Sequence, residues 1–127
     1  MKYEYYYICD ENGKSNCVIR SFCKLYNYEY ENVYNELCSI QKEINSKSFN
    51  DIEVFEEYMK RHNTFAIDTE KEKLIKELEF DNDSYIIFCW DKDDYYHMVP
   101  VINNTIYDKS NRCLDLFSLT IYKYNKK

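Results

Sequence analysis

The hydrophobic pattern of this chain changes period once, and that change constrains the fold more than any other feature. From residue 17 to about residue 78, apolar side chains recur at three- and four-residue intervals. From Tyr85 onward they fall in short continuous runs separated by polar turns. The first spacing belongs to one face of a helix and the second to buried strands. Helices followed by antiparallel strands give an α+β fold.

Local signals place the elements. Asn16 can cap a helix that opens at Cys17, with Val18, Phe22, Leu25 and Tyr26 on its buried face and Cys17, Arg20, Ser21 and Lys24 on a more polar one. The spacing predicts a second helix from about Tyr30 to Ile44, with Val33, Tyr34, Leu37 and Ile40 directed inward. Asn50 and Glu53 form a capping pattern for a third, with Ile52, Phe55, Tyr58 and Met59 as its stripe. Thr69 and Glu72 repeat the pattern ahead of Leu74, Ile75 and Leu78, which suits a short fourth helix. Strands are expected at Tyr85–Trp90, Tyr95–Ile102, Thr105–Asp108 and Leu116–Tyr122, and an extended opening segment places Tyr3, Tyr5 and Tyr7 on one side. Pro100 cannot donate to a ladder, so its N–H position should meet an edge or irregularity.

A chain of 127 residues suits one domain over its whole length, 1–127. It carries fifteen tyrosines and one glycine; Tyr can replace Leu or Phe at half-buried positions because only its tip needs a polar partner. The formal net charge of −6, with Lys and Arg scattered among acids, argues against nucleic acid as a partner. No run of about 18 apolar residues offers a membrane span, and the first residues lack the pattern of a signal peptide. A cytoplasmic location is therefore expected, where thiols stay reduced. The six cysteines form no CxxC pair and no cluster with histidine, so neither a metal nor another cofactor is indicated.

One cysteine differs from the rest in setting. Cys17 opens a helix, where unpaired N–H groups and the helix dipole favour a thiolate. Cys23, Cys38 and Cys89 fall at apolar positions within elements, and Cys9 and Cys113 flank turns without a charged partner. Asn103-Asn104 suits a two-residue hairpin turn, which pairs Ile102 with Thr105 and puts His97 and Asp108 on one sheet face as diagonal neighbours. A carboxylate there can fix the imidazole tautomer and stabilise its charged form. His62, at the end of an amphipathic helix, is expected to be structural, and the acidic run from Asp91 to Asp94 a solvated loop. Trp90 suits either a cleft wall or sheet packing.

The segment NGKSNCVIRSFCKLYNYEYENVYNEL resembles the start of small papain-like proteins common in phages and bacteria, which carry a GK-x-x-D-C-V-x-R-A-like stretch and a helix resembling D-E-V-Y-x-E-L. YIIFCWDKDDYYHMVPVINNTIYDKSN resembles their second signature, H-x-V-x-V-I-x-x-x-I-Y-D, and FEEYMKRHNTF lies in the matching region between. A more distant resemblance is to C39-type and papain-type peptidases. These resemblances imply a papain-like fold with helices on an antiparallel sheet, Cys17 as nucleophile, His97 as general base and Asp108 as orienter, with Asn111 a competing orienter. Asn16 stands where such relatives carry Asp, and Glu11 where papain-type enzymes carry an oxyanion-binding Gln. Asn12, beside it, is then the oxyanion candidate, together with the Cys17 N–H.

Two functions follow as expectations. The first is a cysteine peptidase that cleaves a peptide or isopeptide bond by acyl transfer, with deamidation or transamidation open to the same triad. The second is a non-catalytic phage-like accessory protein that uses the scaffold to bind and inhibit a host protein. The partner is accordingly a protein or peptide substrate, or a host protein target. Arg20 is expected to pair with an acid beneath the first helix.

Overall fold

The computed structural model describes residues 1–68 and 72–126 and shows an α+β architecture. Three helices, α1 (Cys17–Tyr26), α2 (Tyr30–Ile44) and α3 (Ile52–Arg61), lie against a six-stranded sheet. The strands are β1 (Lys2–Tyr5), β2 (Thr64–Asp68), β3 (Ser84–Trp90), β4 (Tyr96–Ile102), β5 (Thr105–Asp108) and β6 (Phe117–Tyr124). Their order across the sheet is β1-β5-β4-β3-β6-β2.

The central pairings, β5-β4-β3-β6, are antiparallel as expected, but the sheet as a whole is mixed. β1 pairs parallel to β5 at one edge. At the other edge β2, where no strand was expected, pairs antiparallel to β6. A short 3-10 turn, Ile75–Glu77, replaces the expected fourth helix. Thr69, part of that helix's capping pattern, lies outside the described residues.

Alternation along the strands builds two cores. Ile86, Met98 and Tyr122 face the helices and join Phe22, Leu37, Ile40, Phe55 and Tyr58. Ile87, Cys89, Val99, Val101 and Ile106 face the other way and are covered by Ile75, Leu78, Cys113 and Leu116. Two inward assignments are corrected. Tyr34 is 39% exposed and packs its ring edge-on against Phe49, while Ile52, in the first turn of α3, is 50% exposed. Val54 takes the buried place instead. Tyr5 and Tyr7 are exposed too, since β1 is an edge strand that ends at Tyr5.

Helix ends follow local chemistry. Asn16 accepts from the N–H groups of Val18 and Ile19 at 2.9 and 3.3 Å, as predicted for the cap of α1. Asn27 and Asn45 end α1 and α2 in the left-handed region, which Asn tolerates better than most residues. At α3 the cap position is Asp51 rather than Asn50, and its carboxylate accepts from Ser46 Oγ and the Ser48 N–H. Replacing Asn16 with Ala should cost about 1 kcal/mol of stability, the usual worth of a side-chain cap. Equilibrium urea unfolding measures this, and an unchanged midpoint would mean that the two cap bonds contribute nothing net.

Candidate active site

The hairpin sets the site. Asn103 and Asn104 both take positive φ, 53° and 55°, as a tight two-residue turn requires, and Ile102 pairs with Thr105. The pairing continues through Val101 and Ile106 and then stops. Counting from the turn, the next hydrogen-bonded position toward β5 belongs to Pro100, which has no N–H to give. β3 meanwhile stays paired with β4 through Tyr96. One side of β4 is thus left open from Pro100 back toward His97.

The first turn of α1 fills that opening. Ser21 Oγ lies 3.0 Å from the Met98 carbonyl oxygen and 2.7 Å from the Cys17 carbonyl oxygen. The Met98 backbone N–H helps to stabilise the Cys17 thiolate. The polar stripe of α1 is therefore turned into the protein, and Arg20 and Ser21 are as buried as the apolar stripe. This docking carries Cys17 to His97 even though the helices cover one sheet face and His97 belongs by alternation to the other.

His97 and Asp108 are 4% and 5% exposed, and His97 Nε2 lies 2.6 Å from Asp108 Oδ2. The carboxylate has further partners. Its Oδ1 accepts from the Lys109 N–H at 2.8 Å and lies 3.6 Å from Arg20 Nη2. Arg20 in turn donates to Ser15 Oγ at 2.7 Å, and Tyr3 donates to the Asp108 carbonyl at 2.7 Å. With Nε2 committed to Asp108, Nδ1 is the nitrogen left to serve Cys17. Tyr95 Oη stands 3.3 Å from the same Nδ1, its ring stacked on the imidazole.

Electrostatics separate Cys17, which is half-buried, from the buried thiols. Burial pushes Cys23 and Cys113 up to about 12 and Cys89 well above its usual range. Burial also opposes the Cys17 thiolate, but the hydrogen bond and charge of His97 outweigh it, helped by the Met98 N–H and Arg20. Its thiol lies below the ordinary value. For His97, burial disfavours the cation, yet the Asp108 bond and Cys17 overcome it and raise the imidazole to about 9. Asp108 is lowered against its own burial by His97, the Lys109 N–H and Arg20. The three groups together are arranged to hold a thiolate beside an imidazolium, the charge state of an activated cysteine nucleophile.

Two cavities meet at His97. One, of about 310 Å³, is lined by Cys17 with Val18, Phe55, Phe88, Tyr96 and Met98. The other, about 650 Å³, lies toward Asp108, Lys109, Ser110 and Arg112. Among the described residues the Cys17 N–H has no acceptor, because the Asn16 side chain takes the next two N–H groups.

Of the residues singled out in the sequence, Cys17, His97 and Asp108 converge. Asn12 does not join them. It sits exposed in a turn, its own N–H bonded to Asp10, and is not among the residues lining the Cys17 cavity. Asn111 is exposed in a 3-10 turn, while Asp108 holds the imidazole. The amide side chain that does line the cavity is Asn50, for which the sequence suggested only a capping role. No local signal marks it, since it reaches the site through the packing of α3. Arg20 meets its buried acid, Asp108. His62 ends α3 against Glu36, and Trp90 stacks on Tyr96 rather than lining the cleft.

All six cysteines are free. Among the described residues no group of three or more His, Cys, Asp or Glu could hold a metal ion, and no helix is long and apolar enough to cross a membrane. A scan against protein-family models and searches of curated proteins and of solved structures found no match.

Proposed function

We propose that this chain is a papain-like cysteine peptidase acting by acyl transfer on a peptide or isopeptide bond. One observation carries the reading: Asp108 occupies His97 Nε2 at 2.6 Å, leaving Nδ1 for a helix-opening thiol that is lowered while its buried fellows are raised. In the reaction the Cys17 thiolate attacks the carbonyl carbon and a C–S bond forms. The oxyanion is met by the Cys17 N–H and, across the cavity, by the Asn50 amide. The C–N bond then breaks as His97 gives its proton to the departing amine. Water resolves the thioester, its proton passing to His97, its oxygen to the acid product and the sulfur leaving as thiolate.

The reactive ion pair exists above the lowered thiol value and below the His97 value of about 9. Turnover is therefore expected to be bell-shaped in pH, its alkaline limb near 9, where the imidazolium that must protonate the leaving amine is lost. The direct test is iodoacetamide alkylation of Cys17 across pH, followed by mass spectrometry with exposed Cys9 as internal reference. Cys17 should react faster at neutral pH and keep reacting at lower pH than Cys9. If it reacts no faster than Cys9 between pH 5 and 8, the peptidase reading fails.

A second reading, a phage-like accessory protein that binds and inhibits a host protein, is favoured by the Tyr95 hydroxyl, 3.3 Å from the nitrogen Cys17 needs. A hydroxyl that holds Nδ1 permanently leaves the thiol unactivated. The same titration separates the two readings.

A further inference from the structure

Resting on the peptidase reading, we infer that the acyl half of the substrate presents one large uncharged apolar side chain, aliphatic or aromatic, beside the carbonyl that Cys17 attacks. The 310 Å³ cavity beside the Cys17 thiol supplies the reason. Its walls are Val18, Ile52, Phe55, Phe88, Tyr96 and Met98, contributed by α1, α3, β3 and β4. Val18, Phe55 and Met98 are floor residues, each under 5% exposed. Ile52 and Tyr96 form the rim and stay 50% and 52% exposed, an unusual state for large side chains flanking a cavity floor. An occupant would bury both.

The volume is at the lower end of small-molecule pockets, so it takes one large residue rather than a run of them. The acceptor oxygens on its polar wall are already engaged. The Asp51 carboxylate accepts from Ser46 Oγ at 2.6 Å and from the Ser48 N–H at 2.9 Å, and Asn50 Oδ1 accepts from Ser48 Oγ. A carboxylate entering here finds no Lys or Arg among the lining residues and meets Asp51 as a like charge. The one cationic group there, His97, is already held between the Asp108 carboxylate and the Cys17 thiolate. The cations near His97, Lys109 and Arg112, line the other cavity. Acidic side chains are thus disfavoured twice, by desolvation and by repulsion.

Acetylated aminoacyl chloromethyl ketones of Leu, Phe, Gly and Asp test this on the full chain. Each places its side chain next to the ketone, and Cys17 forms an S–C bond as the C–Cl bond breaks and chloride leaves with the electron pair. Iodoacetamide, which has no side chain, serves as reference, and modification of the Cys17 peptide is followed by mass spectrometry. The Leu and Phe ketones should react about 10–100-fold faster than the Gly ketone, the discrimination a pocket gains from several buried methylenes, and the Asp ketone slowest of all. Ile52→Asp, on the exposed rim and without a core contact to lose, should cut the Leu-to-Gly ratio several-fold. If the four ketones react alike while iodoacetamide labels Cys17 rapidly, the pocket assignment is overturned and the nucleophile stands. If iodoacetamide labelling of Cys17 is itself slow, the peptidase reading fails and this inference falls with it.

Discussion

Replacing His97 with Ala is expected to slow alkylation of Cys17 at pH 7 by about 30-fold or more. An ordinary thiol with a value near 8.5 is only about 3% ionised at neutral pH, so losing the imidazolium returns Cys17 at best to that fraction. Burial opposes the thiolate in this position and enlarges the loss. On an amide substrate the effect should be greater, about 10²–10⁴-fold, because the variant also lacks the acid that protonates the leaving amine. The fold should survive. Asp108 keeps the Lys109 N–H and Arg20 as partners, so no buried carboxylate is left without compensation. Rates measured side by side with Cys9 make the comparison internal. Equal rates in the two proteins would remove His97 from any role in activating the thiol.

Replacing Asp108 with Ala should produce the largest loss of stability. Its carboxylate is the acid facing two buried cations, Arg20 at 3.6 Å and the His97 imidazolium at 2.6 Å. Removing one member of a buried ion pair typically costs about 3–5 kcal/mol, since the remaining charge is left in a low-dielectric setting. Equilibrium urea unfolding should show a loss of that size, and a loss under about 1 kcal/mol would mean that water already screens the pair as it does at a surface. Asp108→Asn separates charge from shape, because it keeps the side chain's size while removing the anion. In that variant His97 should titrate well below about 9, which a histidine NMR titration reads directly.

The same two groups predict the pH dependence of stability. His97 is raised from 6.5 to about 9 on folding, so its contribution is complete below pH 6.5 and is lost as pH rises through 9. Asp108 is lowered from 3.8, so its contribution is complete above that value and is lost as pH falls through its folded value. Their joint stabilisation is therefore greatest between about pH 4 and 6.5. The Cys17 thiol, lowered on folding, adds stability as pH rises toward its ordinary value and offsets part of the His97 loss. Asp108→Asn should flatten both limbs.

Some of this arrangement was legible because it is local. Asn16 ahead of Cys17 marks a helix start through bonds spanning only two or three residues. Asn103-Asn104 marks a turn because both residues tolerate positive φ, and a two-residue turn fixes which positions face each other. Those two facts were enough to single out Cys17 and to place His97 with Asp108. The two asparagines at 50 and 12 show where such reasoning runs out. Asn50 and Asp51 have equal capping chemistry on paper, and only packing makes Asp51 the cap and leaves Asn50 in the cleft. Asn12 is near Cys17 along the chain, but the Asp10 turn holds it outside the cavity.

By itself, then, the sequence determined the helical and strand halves, the hairpin register and the three residues of the candidate site, all from interactions between near neighbours. The tertiary structure decided how β1 and β2 join the sheet edges, because strand partners far apart in the chain leave no periodic trace. It also decided that Ile52 stays exposed beside an apolar cavity. Above all it brought Cys17 to His97. That meeting depends on a proline that ends one ladder and on a helix whose polar stripe takes up the β4 edge left open, a coincidence of two distant elements that no local pattern encodes.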